Sequence, residues 1–321
     1  MRLLVTGGLG FIGSNFILHR LATHPQDTIV NLDKITYAAD PANLDQVEDD
    51  PRYRFIKGDV CDPAAVSDAM RDCDAVVHFA AESHVDRSIG NSRVFLETNV
   101  LGTHTLLEEA LRTGTRFHHI STDEVFGALP LDSSERFTET TPYAPRNPYS
   151  ASKAASDHLV RAYHATHGLP VTITNCSNNY GPRQHGEKFL PTIIRNALAR
   201  APIPIYGDGQ YVRDWLHVDD HCRAITAVLE RGQTGETYLV GGLTQDVPNV
   251  AIARMVCEIV GADADALLTR VPDRPGHDRR YAVDWSRVHR ELGWAPQRTL
   301  DAGLRETIRW YQEHPARLRV R

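Results

Sequence analysis

The chain has 321 residues, 41% of them hydrophobic and 24% charged, which is enough to bury the core of one large domain or two fused ones. Its formal net charge is −6 and it has no block of like charges, so nucleic acid and membrane surfaces are not expected partners. The five scattered cysteines form no C-x-x-C pair, and no apolar run is long enough to span a bilayer. These features predict a soluble, cytoplasmic protein without a zinc site.

Short runs rich in β-branched residues alternate with stretches of helical period along the first half of the chain. Strands are predicted at residues 2–6, 28–32, 54–56, 75–79, 117–121 and 171–174. Helices are predicted at residues 13–23, 63–71, 93–113 and 149–168. This alternation predicts an α/β fold with a doubly wound parallel sheet of the Rossmann type.

A second, smaller α/β domain is expected after Tyr180, where the alternation weakens and prolines cluster. We place the first domain at residues 1–177 and the second at 178–321. Because residues 219–231 again have helical period and 237–240 again resemble a strand, the chain is expected to return to the first domain around 207–236.

A glycine-rich turn directly follows the first predicted strand, with Gly7, Gly10 and Gly13 opening a helix. Such a turn lets pyrophosphate approach the backbone at a helix N-terminus. Asp33 ends the second strand, where a carboxylate accepts hydrogen bonds from the adenine ribose and repels a 2′-phosphate. The pattern predicts NAD rather than NADP, with Asp59 either an adenine contact or an ordinary turn residue.

Tyr149 and Lys153 lie one helical turn apart on the same face of a predicted helix. A tyrosine of ordinary pKa cannot act as a base at neutral pH, but a neighbouring ammonium favours the phenolate. This pair is common by chance, but it gains weight from the glycine turn, Asp33 and the hydroxyls of Ser121 and Thr122. Together these features resemble the extended short-chain dehydrogenase/reductase family.

Two carboxylates, Asp123 and Glu124, come just after a predicted central strand, at the edge where open α/β sheets hold their chemistry. Adjacent acids in a loop are usually solvated surface groups. Losing water across two sugar carbons, however, needs one group to remove a proton and another to protonate the departing hydroxyl. The pair is therefore a candidate for acid and base in an elimination.

Residues 121–127, Ser-Thr-Asp-Glu-Val-Phe-Gly, closely resemble the S-T-D-E-V-Y-G motif of dTDP-glucose 4,6-dehydratases. Segments 33–38, 80–88, 175–182, 207–215 and 274–281 also match that family, so the resemblance covers essentially the whole chain. One departure is Phe126, which stands where the motif usually has Tyr. The missing phenolic hydroxyl could alter a hydrogen bond beside the two acids, while ring packing should survive.

The resemblance implies that dTDP-glucose is converted to dTDP-4-dehydro-6-deoxy-glucose and water, with NAD recycled in each turnover. Tyr149, its pKa lowered by Lys153, would take the C4 hydroxyl proton as hydride leaves C4, and Thr122 would hydrogen-bond the C4 oxygen. Glu124 would remove the C5 proton and protonated Asp123 would donate to the C6 hydroxyl. Hydride would then return to C6 and C5 would be reprotonated. A homodimer formed through the helices at 93–113 and 149–168 is also expected.

The resemblance also implies the binding residues. The cofactor would contact Gly7, Gly10, Phe11, Ile12, Gly13, Asp33, Lys34, Thr36, Asp59, Val60, Ala80, Ala81, Ser83, Asn99, Tyr149, Lys153, Cys176 and Asn179. Sugar or diphosphate would contact His84, Thr122, Asn178, Lys188 and Phe189. The nucleotide and phosphates would contact Arg213, Asn249, Asp273, Arg274 and His277. The base would lie against Pro204, Ile205 and Tyr206. Such a wall suits thymine or uracil equally.

Several alternatives stay open. A nucleotide-sugar 4-epimerase or decarboxylase would share the fold, NAD and the Tyr149/Lys153 pair, but it needs no Asp-Glu pair. The same dehydration could act on a UDP- or GDP-hexose. A non-catalytic NAD-binding regulator would be expected to lack Tyr149 or Lys153. No metal is expected, because adjacent His118 and His119 point to opposite faces of a strand and no acid or cysteine cluster accompanies the other histidines.

Overall fold

The structure, a computed structural model, describes residues 1–242, 245–273 and 276–318. Arg274, one of the expected nucleotide contacts, lies outside the described residues. Within these ranges, no helix combines the length and the apolar character needed to cross a membrane.

Apart from the helix predicted at 93–113, the ends of the predicted elements agree with the structure to within two residues, and the structure adds the elements of the second domain. The strands are β1 (Arg2–Thr6), β2 (Thr28–Asp33), β3 (Tyr53–Lys57), β4 (Ala75–His78), β5 (Arg116–Thr122), β6 (Val171–Cys176), β7 (Asn178–Tyr180), β8 (Ile203–Tyr206), β9 (Val212–Arg213), β10 (Trp215–His217), β11 (Thr237–Val240), β12 (Val247–Pro248) and β13 (Leu268–Val271). The helices are α1 (Phe11–Thr23), α2 (Pro63–Met70), α3 (Val85–Gly90), α4 (Arg93–Phe95), α5 (Gly102–Thr113), α6 (Pro148–His167), α7 (Phe189–Leu198), α8 (Val218–Arg231), α9 (Asn249–Ile259), α10 (Ala264–Leu267), α11 (Ser286–Leu292) and α12 (Leu300–Glu313). Short 3₁₀ turns cover Pro41–Val47, Asp123–Phe126 and Pro315–Leu318.

A seven-stranded sheet in the order β11-β6-β5-β4-β1-β2-β3 forms the larger domain, and its strand pairs are parallel. Successive side chains of a strand face opposite sides, so β1 sends Leu4 towards α2, α5 and α6 and sends Leu3 and Val5 towards α1 and α8. Helices therefore cover both faces, and the strands of this sheet other than β3 are almost wholly buried. The predicted doubly wound Rossmann sheet is confirmed.

The chain re-enters this domain after β10. Helix α8 packs Cys222 and Ile225 against Phe16 and Ile17 of α1, and β11 then pairs with β6 at the edge of the sheet. The returning segment thus runs to Val240, beyond the expected limit at 236. The second domain has its own core, in which α7, α9 and α12 pack around β8, and β8 pairs with β13.

The helix predicted at 93–113 is interrupted by a wider π-helical turn at Leu96–Leu101, between α4 and α5. Asn99 lies in this turn and is 1% exposed. Its amide oxygen accepts from the Glu82 backbone N–H at 2.8 Å, and its amide nitrogen donates to the Glu82 carbonyl at 3.0 Å and to Ser152 Oγ at 2.8 Å. Such turns are frequent at functional sites, and this one ties α6 to the segment after β4.

Candidate active site

The glycine turn packs so closely against neighbouring backbone that Gly7 and Gly13 have no room for a side chain. Gly7 has φ +70°, and a Cβ there would lie 2.7 Å from the backbone of Ala80. A Cβ on Gly13 would lie 2.5 Å from the carbonyl oxygen of Gly7. Gly10 is the N-cap residue of α1, which begins at Phe11. Unpaired N–H groups and the positive end of the helix dipole at such a site suit a pyrophosphate.

A cavity of about 340 Å³ extends from this turn across the carboxyl ends of the central strands. Apart from Asn99, every residue expected to contact the cofactor lines the cavity. Asn99 lies behind the lining, and the contacts of its amide with Glu82 and Ser152 give it a supporting position. The cavity joins the glycine turn at one end to Tyr149, Glu124 and Lys188 at the other.

Asp33 and Asp59 both face the cavity beyond β2 and β3. Asp33 accepts backbone hydrogen bonds from Leu9 at 3.0 Å and Ile35 at 2.8 Å, and burial raises its pKa. Asp59 forms an ion pair with Lys34 at 2.5 Å. Asp59 is thus part of the cavity wall as well as a turn residue, since its side chain also accepts from the backbone N–H of Cys61.

Asp123 and Glu124 lie in the 3₁₀ turn that follows β5. Asp123 is 1% exposed, and burial, Glu124 and Asp214 raise its pKa well above the ordinary value. Glu124 is half-buried, lines the cavity and accepts a hydrogen bond from Ser150 Oγ at 3.2 Å. A protonated carboxyl and a neighbouring, cavity-facing carboxylate are the pair that an acid–base elimination requires.

Tyr149 lines the cavity together with Thr122 and Glu124. The sequence predicts that the Lys153 ammonium and the cationic nicotinamide together favour the Tyr149 phenolate, and in the protein by itself the surroundings of Tyr149 oppose this. Burial and the charges of Glu124, Cys176 and Asp123 raise the Tyr149 pKa well above 10, and a Thr122 hydrogen bond opposes them only in part. Lys153 Nζ instead donates to the carbonyl of Ile120 at 2.7 Å.

Four of the expected substrate contacts, His84, Thr122, Asn178 and Lys188, line the same cavity. Lys188 Nζ donates to the carbonyl of Ser83 at 2.9 Å, which fixes an ammonium group at the cavity mouth. Phe189 lies next to it in sequence but stacks on Trp215, with ring centroids 5.8 Å apart, and is outside the lining.

The described residues of the second domain that were expected to bind the nucleotide are not among those that line the cavity. Arg213 is buried; it donates to the carbonyl of Asp278 at 3.0 Å, and its guanidinium lies 4.4 Å from the Tyr281 ring centroid. His277 stacks on Tyr211 with ring centroids 3.7 Å apart and lies 2.8 Å from Asp273. The structure thus brings Asp273 and His277 together.

The expected wall for the base is only partly formed. Strand β8 alternates, so Ile205 is 2% exposed and belongs to the core of the second domain, whereas Tyr206 is exposed. The strand therefore presents Pro204 and Tyr206 outward, and the Ile205 side chain is not available to a ligand. Asn249 begins α9, and its side-chain oxygen is buried without a hydrogen bond to the described part of the chain.

Phe126, the departure from the family motif, is 4% exposed in an aromatic cluster. Its ring stacks on Phe137 and meets Tyr143 edge-on, with centroids 5.1 Å apart in both cases. The ring packing expected at this position is present.

Some residues around the cavity were missed in the sequence. Arg87 lies over the Tyr37 ring at 3.7 Å and pairs with Glu187 at 2.7 Å, so α3 and the segment before α7 meet across the cavity mouth. Ser150, the partner of Glu124, was also missed. Its position directly after Tyr149 on α6 could have indicated that its hydroxyl lies near the site. Within the described ranges, no three His, Cys, Asp or Glu side chains are grouped in a way that could hold a metal ion.

The sheet, the glycine turn and a Tyr-x-x-x-Lys pair facing one cavity together define an extended short-chain dehydrogenase/reductase. A family model described as GDP-mannose 4,6 dehydratase matches residues 4–307, and the chain belongs to that family. Within it, a dTDP-glucose 4,6-dehydratase from Haemophilus influenzae is 50% identical over 333 residues, covering 97% of this chain and 98% of that protein.

Solved structures agree with this membership. DesIV, a dTDP-glucose 4,6-dehydratase from Streptomyces venezuelae solved with NAD and TYD bound, has a TM-score of 0.95 at 49% identity and 98% coverage of both chains. A UDP-glucose 4-epimerase from Thermotoga maritima, solved with UDP-glucose, has a TM-score of 0.90 at 25% identity and covers 98% of this chain and 100% of that one. The fold is thus shared more widely than one reaction.

Proposed function

We propose that the chain is an NAD-dependent dTDP-glucose 4,6-dehydratase that forms dTDP-4-dehydro-6-deoxy-glucose and water. The observation that carries this proposal is the pairing of a buried Asp123 with a cavity-facing Glu124 beside Tyr149. The relatives that are about half identical to the chain over almost its full length are named for this reaction.

The cavity fits NAD. The side-chain-free groove at Gly7 and Gly13 suits the pyrophosphate, Asp33 at the end of β2 suits the adenine ribose, and Tyr149 and Lys153 lie at the reacting end. When bound, NAD supplies the hydride acceptor and donor of the reaction, and its positive charge favours the Tyr149 phenolate.

The chain's own residues move the protons. Tyr149 takes the C4 hydroxyl proton while Thr122 hydrogen-bonds the same oxygen. The resulting 4-keto group acidifies C5, and Glu124, oriented by Ser150, removes the C5 proton. Asp123 remains protonated because it is buried beside Glu124 and Asp214, so it can donate to the C6 oxygen as water leaves.

A 4-epimerase is the main competitor, because it shares the fold and the tyrosine. Epimerisation at C4 moves hydride out and back at one carbon and gives no use to a buried acid beside a cavity-facing base. The environments of Asp123 and Glu124 therefore favour the dehydratase. Thymidine is proposed over uridine because of the names of the relatives; the exposed face of Pro204 and Tyr206 suits either base.

The test is to incubate the purified protein with dTDP-glucose without adding NAD and to identify the products by mass spectrometry. We expect a product lighter by one water. UDP-glucose and GDP-mannose, assayed in parallel, measure the nucleotide preference. Formation of dTDP-galactose would show that the protein is an epimerase and not a dehydratase. Tight binding of NAD without turnover of any hexose nucleotide would support a non-catalytic regulator.

We also propose a homodimer located in the cytoplasm. Leu96 and Leu101, on the turn between α4 and α5, are 50% and 56% exposed, which leaves apolar surface for a second copy on the expected helices. The five cysteines are free thiols, as in proteins of a reducing compartment. Light scattering of the active protein tests the dimer, and a monomer mass would contradict it.

A further inference from the structure

Asp157 is a buried carboxylate on α6, the helix that carries Tyr149 and Lys153, and the proposed reaction steps do not use it. It follows Lys153 by one helical turn and Tyr149 by two, and it is 0% exposed. A carboxylate with this burial is costly unless the fold surrounds it with donors and positive charge. Its neighbours therefore indicate what it does.

One oxygen of Asp157 is hydrogen-bonded from three sides. Oδ2 accepts from Tyr143 OH at 2.7 Å, Ser121 Oγ at 2.9 Å and Asn175 Nδ2 at 3.1 Å. Ser121 lies in β5, two residues before Asp123 of the acid–base pair. Asn175 Nδ2 also donates to the carbonyl of Thr122 at 3.0 Å. The carboxylate thus connects α6, which carries Tyr149 and Lys153, to the end of β5.

The other oxygen lies beside His119. Oδ1 is 3.3 Å from His119 Nε2. Lys153 Nζ lies 3.3 Å from the same imidazole nitrogen. Lys153, which is 4% exposed, and Asp157 therefore both approach His119 Nε2, and the carboxylate acts electrostatically on the ammonium within this buried site.

The other titratable groups around Lys153 cannot replace this anion. Cys176 of β6 is a thiol whose pKa burial raises, and His78 of β4 and His119 of β5 have pKa values lowered chiefly by burial, so both rings are neutral near pH 7. On α6, the pKa of Tyr149 is raised. Arg161 lies beyond Tyr143, to whose hydroxyl it donates at 2.7 Å.

We propose that Asp157 is a positioning residue whose negative charge keeps Lys153 in its ammonium form and whose hydrogen bonds hold α6 against the end of β5. This assignment rests on the proposed function, in which Lys153 supports the chemistry of Tyr149 as a cation. Burial lowers the Lys153 pKa to about 8, and Asp157 is the largest influence in the opposite direction. Without Asp157, a smaller fraction of the Lys153 amine would be protonated near pH 7.

The experiment uses an unusual property of the sequence, which has only four lysines: Lys34, Lys57, Lys153 and Lys188. In protein labelled with ¹³C and ¹⁵N at lysine, NMR can follow each side chain through a pH titration, and Lys153→Arg assigns the signal. We expect a Lys153 pKa of about 8 in the wild-type protein. In Asp157→Asn, which keeps the shape but removes the charge, we expect this pKa to fall by about one unit or more.

Tyr143→Phe is the matched control, because it removes one hydrogen bond to Asp157 but leaves the charge. The Lys153 pKa should stay unchanged in this variant. An equal fall in both variants would assign the effect to the hydrogen bonds and overturn the charge role, and an unchanged pKa in Asp157→Asn would overturn it directly. If Asp157→Asn does not fold, the wild-type titration still decides: a Lys153 pKa below about 7 would mean that no buried anion holds the amine protonated.

Turnover links the charge to catalysis. In Asp157→Asn, the alkaline limb of the pH profile of kcat/KM for dTDP-glucose should move to lower pH together with the Lys153 pKa. A uniform loss of activity at every pH would indicate a structural role only and overturn the assignment. If the wild-type protein did not turn over dTDP-glucose while the NMR result held, the proposed function alone would fail.

Discussion

Asp123 and Glu124 are neighbours in the chain, yet the turn after β5 places their carboxyl groups in different environments. Asp123 is buried and has one carboxyl oxygen without a hydrogen bond to the described residues, whereas Glu124 faces the cavity and is held by Ser150. The first environment favours a protonated acid and the second an available base. Separate variants of the two residues should therefore stop the reaction at different points.

Glu124→Gln removes the base but keeps the shape of the side chain. Oxidation at C4 should continue, whereas exchange of the C5 proton with solvent should fall about 100-fold or more. Deuterium entry at C5, followed by NMR or mass spectrometry in heavy water, measures this step. Deuterium entering C5 at the native rate would remove Glu124 from the mechanism.

Asp123→Asn replaces a neutral acid by a neutral amide that cannot donate a proton to a leaving hydroxyl. We expect C5 exchange to persist while release of water falls about 100-fold. In the wild-type protein the donor is present below the raised Asp123 pKa and is lost as the pH rises through it. Product formation by the variant at the native rate would contradict the role of Asp123.

Tyr149→Phe should prevent the initial oxidation, because no other residue is placed to take the C4 hydroxyl proton in the proposed cycle. The burst of bound NADH on mixing with dTDP-glucose should fall about 100-fold or more in stopped-flow absorbance. Glu124→Gln serves as the control, since it should still show that burst. Rapid NADH formation in Tyr149→Phe would be incompatible with the assignment.

Gly13→Ala should impair NAD binding, because the new Cβ would lie 2.5 Å from the Gly7 carbonyl oxygen. An overpacking cost of about 2 kcal/mol would weaken binding about 30-fold, as measured by calorimetry. Gly90→Ala is the matched control, since a Cβ there meets no atom within 4 Å. Equal affinities in the two variants would show that the turn does not cradle the cofactor.

Four buried histidines should make the fold sensitive to acid. Burial lowers the pKa values of His78, His118, His119 and His221, that of His221 to about 3. Because these folded-state values lie below the unfolded value of about 6.5, the unfolded chain binds more protons as the pH falls below 6.5, and stability is lost there.

Urea unfolding measured across this pH range checks the sign. Each such histidine adds a slope of about 1.4 kcal/mol per pH unit, so His221→Asn should reduce the slope by that amount. His104 is exposed, and His104→Asn serves as the control that should leave the slope unchanged. Stability that did not fall with pH would contradict the neutral, buried state of these rings.

The local patterns of the sequence determined much of this protein. Short runs rich in β-branched residues located the strands of the parallel sheet, and stretches of helical period located the helices between them. The turn at Gly7, Gly10 and Gly13 identified the pyrophosphate end of the cavity, and the Tyr149/Lys153 spacing identified its reacting end. These features could be predicted because their physical requirements act over a few neighbouring residues.

Only the tertiary structure decided the surroundings of the charged groups in the site, and therefore their pKa values and their accessibility. The sequence placed Lys153 beside Tyr149, but the fold directs its ammonium towards Ile120 and the edge of His119, near Asp157. The fold also buries Asp123 while leaving Glu124 at the cavity, and it places the Ile205 side chain in the core of the second domain. A pKa and the accessibility of a side chain depend on solvent exclusion and on charges brought together from distant strands, and no local spacing in the chain encodes these.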